Sequence, residues 1–259
     1  MAGLARRVEE ASLNAWPALH QVMLDGWVLR FSRGFTKRAN SVTPLYATAQ
    51  HPLEKVRYCE ELYAREGLST IFRMTTISEE GALDELLADR GYESIDPTQV
   101  LHRPLAAGEF DLAGTFSVVP VASFLVAYAA LHEPDIDARA ARTASELHRA
   151  ILKGIRGETL FGLIVEDGEP VACGMAVVER EVVGLFDVVV HARCRRRGHG
   201  RTLTESLLKR AGESGARTAY LQVLNDNAAA RSLYGGLGFE PLYDARYRVS
   251  ARLSARKKL

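Results

Sequence analysis

The chain has 259 residues, 47% of them hydrophobic, with 33 basic and 32 acidic side chains and a formal net charge of +1. That length implies one or two domains with material for a sizeable core, and the charge balance excludes a global field favouring nucleic acid or an anionic membrane. Cys59, Cys173 and Cys194 form no C-x-x-C pair and no metal-ligand spacing, and Arg6, Arg7, Glu9, Glu10 and Asp25 break any early apolar run; no disulfide framework, metal site, signal peptide or membrane span is expected, and the expected compartment is the cytoplasm.

In chain order, residues 4–15 suggest a short helix that stops near Trp16-Pro17. Residues 26–31 alternate as a strand, with Trp27, Leu29 and Phe31 on one face and Arg30 on the other. A turn at Gly34 leads to a partner strand at 40–46. Val56, Cys59, Glu60, Leu62 and Tyr63 then give a helical period from Pro52 to Gly67. A strand at 70–75, a helix at 78–90 with Ser78 as its N-cap, and a strand at 98–102 follow. Residues 104–114 hold Gly108 and Gly114 and few large apolar side chains, which makes them the expected linker between a unit at 1–107 and a unit at 115–259.

The second unit reads as a strand at 116–119, helices at 121–131 and 138–152, and a hairpin of 160–166 with 171–179 about Asp167-Gly168. Residues 182–190 are rich in β-branched side chains and suggest a buried strand. Arg195-x-x-Gly198-x-Gly200 reads as a tight loop, and Leu203, Leu207 and Leu208 as the apolar stripe of a helix beginning there. A strand–glycine turn–helix unit suits a pyrophosphate. The first helical turn offers unpaired N–H groups and the positive end of the macrodipole, and glycines leave no Cβ in a ligand's way. The pattern is neither G-x-x-x-x-G-K-[ST] nor a full G-x-G-x-x-G.

At Arg195 to Gly200 the chain resembles the GNAT superfamily of acyl-CoA N-acyltransferases, whose signature is R/Q-x-x-G-x-G/A. The strand 185–190 upstream, the strand 218–224 downstream, and Asn227-x-x-Ala230-x-x-Leu233-Tyr234-x-x-x-Gly238-Phe239 extend the resemblance over about residues 115–250. It implies an α/β (α+β) fold of two tandem GNAT-like domains. Each would be a mixed, mostly antiparallel sheet flanked by helices, with splayed parallel central strands in the second. One offset sets Val190 against Val42 and Gly215 against Gly67, and an offset one residue shorter sets Gly238-Phe239-Glu240 against Gly91-Tyr92-Glu93, as in a duplicated unit. The first copy resembles a degenerate one: Gln50 and Pro52 stand opposite Gly198 and Gly200, and Leu87 opposite Tyr234.

The resemblance implies acetyl-CoA as cosubstrate, a primary amine as acceptor, and direct transfer between them. The backbone of Val188, Val189 and Val190 would hold the pantetheine arm, with the Val190 N–H polarising the thioester carbonyl. The loop of Arg195, Arg196, Arg197, Gly198, His199, Gly200 and Arg201 would hold the pyrophosphate, and Asn227 and Ala230 would touch the CoA arm. Tyr234 matches the acid that protonates the departing thiolate, and Asn227 also fits an ordinary N-cap.

A base is also required. A lysine-type amine of pKa about 10.4 is neutral in roughly one molecule per 10³ at pH 7, whereas an α-amine near 8 loses only about 1 kcal/mol. Where many relatives of the superfamily carry a glutamate on the first splayed strand, this chain has Phe186. Asp187, His191 and the loop His132-Glu133-Pro134-Asp135-Ile136-Asp137 remain as candidates, with Asp187 expected on the face opposite Phe186. Trp27, Arg30, Arg38 and Asn40 are candidate acceptor contacts from the first copy. The alternative to an enzyme is a non-catalytic acyl-CoA-binding or regulatory module. The oligomeric state is open, with a homodimer among the options.

Overall fold

The computed structural model describes residues 2–78, 81–106, 108–111, 114–132 and 137–250. Helix α1 (Ala2–Ala15) leads into a hairpin of β1 (His20–Leu24) and β2 (Trp27–Phe31). Its turn residues, Asp25 and Gly26, have φ of 39° and 79°, the two-residue turn whose twist matches that of paired strands. An Asp-Gly pair before an alternating run is a hairpin signal, yet the sequence reading began the strand at 26 and left β1 unassigned.

The first half continues through β3 (Val42–Pro44), α2 (Pro52–Arg65), β4 (Ile71–Thr75), α3 (Leu83–Asp89) and β5 (Tyr92–Pro104). Strand β3 is shorter than expected because Asn40 serves a loop. Its side chain accepts from the Ser32 and Gly34 N–H groups and donates to the Phe35 and Thr36 carbonyls. Helix α3 is capped at Ala82, not Ser78; the Ser78 N–H instead closes a turn onto the Thr75 carbonyl.

The second half holds β6 (Phe116–Val118), α4 (Val121–Leu131), α5 (Ala138–Gly154), β7 (Glu158–Glu166), β8 (Glu169–Glu179) and β9 (Val182–Val190). A 3-10 turn (Ala192–Cys194), α6 (His199–Glu213), β10 (Thr218–Leu224), α7 (Ala228–Gly235) and β11 (Glu240–Ser250) follow. Both halves share one mixed sheet of eleven strands, in the order β1-β2-β3-β4-β11-β5-β10-β9-β8-β7-β6. The last strand of each half crosses to the other: β5 pairs antiparallel with β10, and β11 with β4, while β5 and β11 pair with each other. That exchange is why β5 runs far past the expected 98–102. Its residues 98–104 face β10, and its residues 92–102 follow β11.

The two halves mirror each other in pairing as well. The parallel pairs are β3 with β4 and β9 with β10, one in each half. In the first half the loop opposite the glycine turn is filled from within. The Asp25 carboxylate accepts from the N–H groups of Ala49 and Gln50 at 2.8–3.2 Å. The Gln50 N–H bond leads the causes that hold this carboxyl below its usual range.

Trp27, Leu29 and Phe31 enter the first half's core with Val56, Cys59, Tyr63 and Phe72, as their alternation predicts. The opposite face of β2 is also covered, by α1, so Arg30 is buried and donates to the carbonyls of Leu13, Trp16 and Arg38. Helix α1 is fastened by a second buried group. Glu9 accepts from Arg73 Nε at 2.8 Å and Nη2 at 3.0 Å, and the Tyr243 hydroxyl donates to the same carboxylate. Glu9, Arg73 and Tyr243 lie on α1, β4 and β11, so one ionic cluster ties the N-terminal helix to strands of both halves.

Candidate active site

Strands β9 and β10 pair in parallel only from Val182 and Thr218 to Leu185 and Leu221. Beyond that point β9 stays with β8, and β10 with β5, so a wedge opens between them. The His191 N–H donates across to the Val171 carbonyl at 2.9 Å. Backbone groups alternate sides along a strand, so the N–H and C=O of Val190 and Val188 face the wedge. Arg195 Nε reaches the Val190 carbonyl at 3.4 Å.

The glycine turn stands at the end of this open edge. Gly198 is the N-cap of α6 with φ of 89°, a conformation costly for any residue with a Cβ. A Cβ on Gly200 would lie 3.3 Å from Leu233 and 3.5 Å from Val190, so glycine here allows α6, α7 and β9 to converge. The turn fits a diphosphate: α6 presents the unpaired N–H groups of its first turn, and Arg195, Arg196 and Arg197 are exposed around it. Of two further basic side chains of the loop, Arg201 is bonded and His199 is buried with no hydrogen-bond partner at Nε2 among the described residues. The Arg201 guanidinium bonds Glu205 at 3.1 Å and the Gly236 carbonyl at 3.0 Å, and the His199 ring is buried with Nε2 3.6 Å from Glu166.

Tyr234 lies in the apolar cluster that Val188 and Val190 border, edge-on to Phe239 at 5.8 Å. Burial pushes its phenol up to about 12. Asn227 caps α7, its Oδ1 accepting from the Ala230 N–H at 3.0 Å. His191 caps the 3-10 turn by accepting from the Arg193 N–H.

At Asp187 the expectation from strict alternation fails. The register slips between the pairs Cys173↔Val189 and Met175↔Phe186, and Asp187 has φ of 51°, so β9 bulges there. Before the bulge Val182 and Phe186 face one core, and Val183 and Leu185 the other. After it Val189 joins the first and Val188 and Val190 the second, a reversed phase. Asp187 therefore points to the same side as Phe186, not the opposite one. Its Oδ2 lies 2.8 Å from Nε2 of His148, a buried residue of α5.

His148 is held among rings, with centroids 5.0 Å to Tyr128, 5.4 Å to Trp16 and 6.1 Å to Phe35. Burial, and then the Asp187 charge, push the Tyr128 phenol well above its ordinary range. This pair forms part of the wall of a cavity of about 380 Å³ between α4, α5, β9 and the end of α1. Sequence reasoning missed His148, Trp16, Phe35 and Tyr128. A signal for His148 was available: Ala141, Ala144, Ser145 and His148 fall at helical spacing on one face of α5.

Of the first-half residues expected as acceptor contacts, three are corrected. Trp27 packs in the core against Phe72, Arg30 holds carbonyls at the end of α1, and Asn40 holds the 32–36 loop. Arg38 comes nearer, over the rings of Trp16 and Phe186 at 5.6 and 5.4 Å and 3.4 Å from Gln222. Residues 133–136 of the acidic loop lie outside the described residues; of its ends, His132 stacks on Tyr128 and Asp137 caps α5. Burial pushes the thiols of Cys59 and Cys173 up to about 12. Among the described residues there is no cluster suited to a metal ion, and no described helix is long and apolar enough to cross a membrane.

A mixed sheet with two parallel strands parting beside a glycine turn is the architecture of the GCN5-related N-acetyltransferase (GNAT) superfamily. The chain belongs to the family described as "Probable histone acetyltransferase Rv0428c C-terminal", whose profile matches residues 4–248. It is 29% identical over 254 residues to an uncharacterized N-acetyltransferase, YobR, of Bacillus subtilis, covering 94% of this chain and 98% of that one. A GCN5-related N-acetyltransferase from Kribbella flavida shares the fold with a TM-score of 0.70 at 21% identity, covering 96% of both chains. A tandem GNAT protein from the clavulanic acid biosynthesis pathway does so with a TM-score of 0.62 at 15% identity, covering 81% of this chain and 74% of that one.

Proposed function

We propose that this protein transfers an acetyl group from acetyl-CoA to a primary amine by direct attack, at a single site in its second half. The observation that carries the reading is the bulge at Asp187. It gives one strand both a free backbone edge toward the glycine turn and a carboxylate, paired with an imidazole, toward an open cavity.

Acetyl-CoA, when bound, supplies an acyl carbon on which a neutral amine forms a C–N bond as the C–S bond breaks. The first-turn N–H groups of α6 and the arginines at 195–197 bind the diphosphate. The wedge-facing groups of Val188 and Val190 take the arm as an added strand, and the Val190 N–H stands as donor to the acyl oxygen.

His148, oriented through Nε2 by Asp187, accepts at Nδ1 the proton that the acceptor ammonium must lose, and solvent receives it afterwards. After attack the nitrogen of the adduct gives its second proton to solvent, while Tyr234 gives its own proton to the departing sulfur and regains one from solvent. The balance is an ammonium and a thioester in, and an amide, a thiol and one proton out.

Thiol release measured with and without an amine, across pH, tests the reading. Release that requires the amine, with His148→Gln slowing it roughly 10²-fold or more and higher pH restoring part of the loss, is the expected outcome. An acyl-CoA-binding protein that turns over no amine would be a regulatory module instead, and an unchanged pH–rate profile in His148→Gln would remove this histidine as the base.

A further inference from the structure

The cavity beside His148 is specific about what it can hold. Trp16, Phe35, Tyr128 and His132 bring flat rings to it, and Ala141 and Ala144 on α5 leave room opposite them. Thr36 and Ser145 add two hydroxyls. Among its described lining residues Asp187 is the only carboxylate, and none is a lysine or an arginine. Arg38 lies against Trp16 and Phe186 and is directed to Gln222. A volume of about 380 Å³ is at the small end of ligand pockets, which run roughly 300–1,000 Å³ and combine apolar walls with a few placed polar groups.

Resting on the acetyl-transfer reading above, we infer that the acceptor is a primary amine carried on an aromatic or similarly flat apolar group, with no carboxylate of its own. Ring faces attract a cationic amine as well as a second ring, and Asp187 with His148 gives the ammonium its destination. An amino acid would bring a second charge that no arginine or lysine among the described lining residues neutralises, next to the Asp187 carboxylate. A polyamine or aminoglycoside would bring several polar groups to walls that offer few partners. An extended lysine side chain presents no flat group to the lining rings.

The chain contributes to this pocket from both halves. Trp16 and Phe35 belong to the first, so that half, which has Gln50 and Pro52 where the second has Gly198 and Gly200, builds the acceptor wall of the second. Phe35 sits in the loop that Asn40 holds, and Trp16 at the end of the helix whose carbonyls Arg30 holds.

The test compares 2-phenylethylamine, phenylalanine, butylamine, spermidine and a lysine-containing peptide as acceptors for acetyl-CoA with the full chain. The expected kcat/KM for 2-phenylethylamine exceeds that for phenylalanine by about 10²-fold or more, and that for butylamine by about 10-fold. Ala144→Phe should raise KM for 2-phenylethylamine about 10-fold, with acetyl-CoA affinity unchanged. Peptide, spermidine or phenylalanine as the best acceptor would overturn the inference and leave acetyl transfer standing.

Calorimetry in the presence of CoA reads binding without turnover. Binding of 2-phenylethylamine but not phenylalanine supports the pocket assignment even if no amine is acetylated, and equal binding of the two overturns it.

Discussion

Glu9→Gln isolates the ionic cluster that fastens α1. In the folded protein Arg73 offers two parallel N–H groups to the Glu9 carboxylate, the strong bidentate arrangement of a charge-assisted pair, and both side chains are at most 2% exposed. Glutamine keeps the shape but brings an N–H₂ where Arg73 or Tyr243 already donates, and it leaves the guanidinium charge without a counter-charge. Breaking a buried pair in this way costs about 3–5 kcal/mol, which for a chain of this size is a fall in Tm of roughly 10 °C.

Urea unfolding at pH 7 gives the stability difference, and Glu9→Leu with Arg73→Met gives the control. Removing both charges should recover most of the loss. The pH dependence has a defined sign. Burial alone would raise the Glu9 pKa, but the Arg73 charge and the bonds from Arg73 and Tyr243 outweigh it, so the folded value is depressed. Its contribution is therefore complete above the unfolded value of about 4.3, and is lost as pH falls through the lower folded value. The wild type should show an acid-unfolding limb below pH 4 that Glu9→Gln flattens. A variant within about 1 kcal/mol of wild type, or a double variant no better than the single one, would refute this account.

Two further predictions concern the site. Gly198→Ala meets no atom within 4 Å but must hold φ near 89°, a strain of about 1–2 kcal/mol; if the turn relaxes to avoid it, acetyl-CoA affinity measured by calorimetry falls about 10-fold, and an unchanged Kd would show that the turn does not grip the diphosphate. Tyr234→Phe should lower kcat roughly 10²-fold with acetyl-CoA affinity nearly intact. Because burial raises that phenol to about 12, the wild-type rate should not decline from its ionisation below about pH 11, and a decline near pH 9 that vanishes in the phenylalanine variant would contradict the environment described for it.

Local patterns carried the sequence reading furthest. The apolar run of β9, the glycine turn and the stripe of α6 are contiguous, and each is set by neighbours within a few residues. The cavity was hidden for a different reason. Its histidine and carboxylate stand 39 positions apart and meet only because a bulge reverses the phase of β9. The hints were a charged residue inside a run of valines and the spacing of small residues with His148 along α5. Trp16 and Phe35 are further removed, since only the shared sheet brings the first half beside α4 and α5. Trp27, Arg30 and Asn40 misled because buried polar and aromatic residues that complete a fold look, in sequence, like residues that meet a ligand.

Asp25 gives the first half a history of its own. Where, in the reading proposed above, the second half takes a visiting anion on the first-turn amides of α6, the first half has a tethered one, supplied by the hairpin turn that precedes it. A resident carboxylate does not dissociate, so that loop holds its shape at any cofactor concentration, and the strands around it form a constant frame. On the proposed reading, the half with the resident carboxylate serves as a rigid jaw for the half that takes the cofactor.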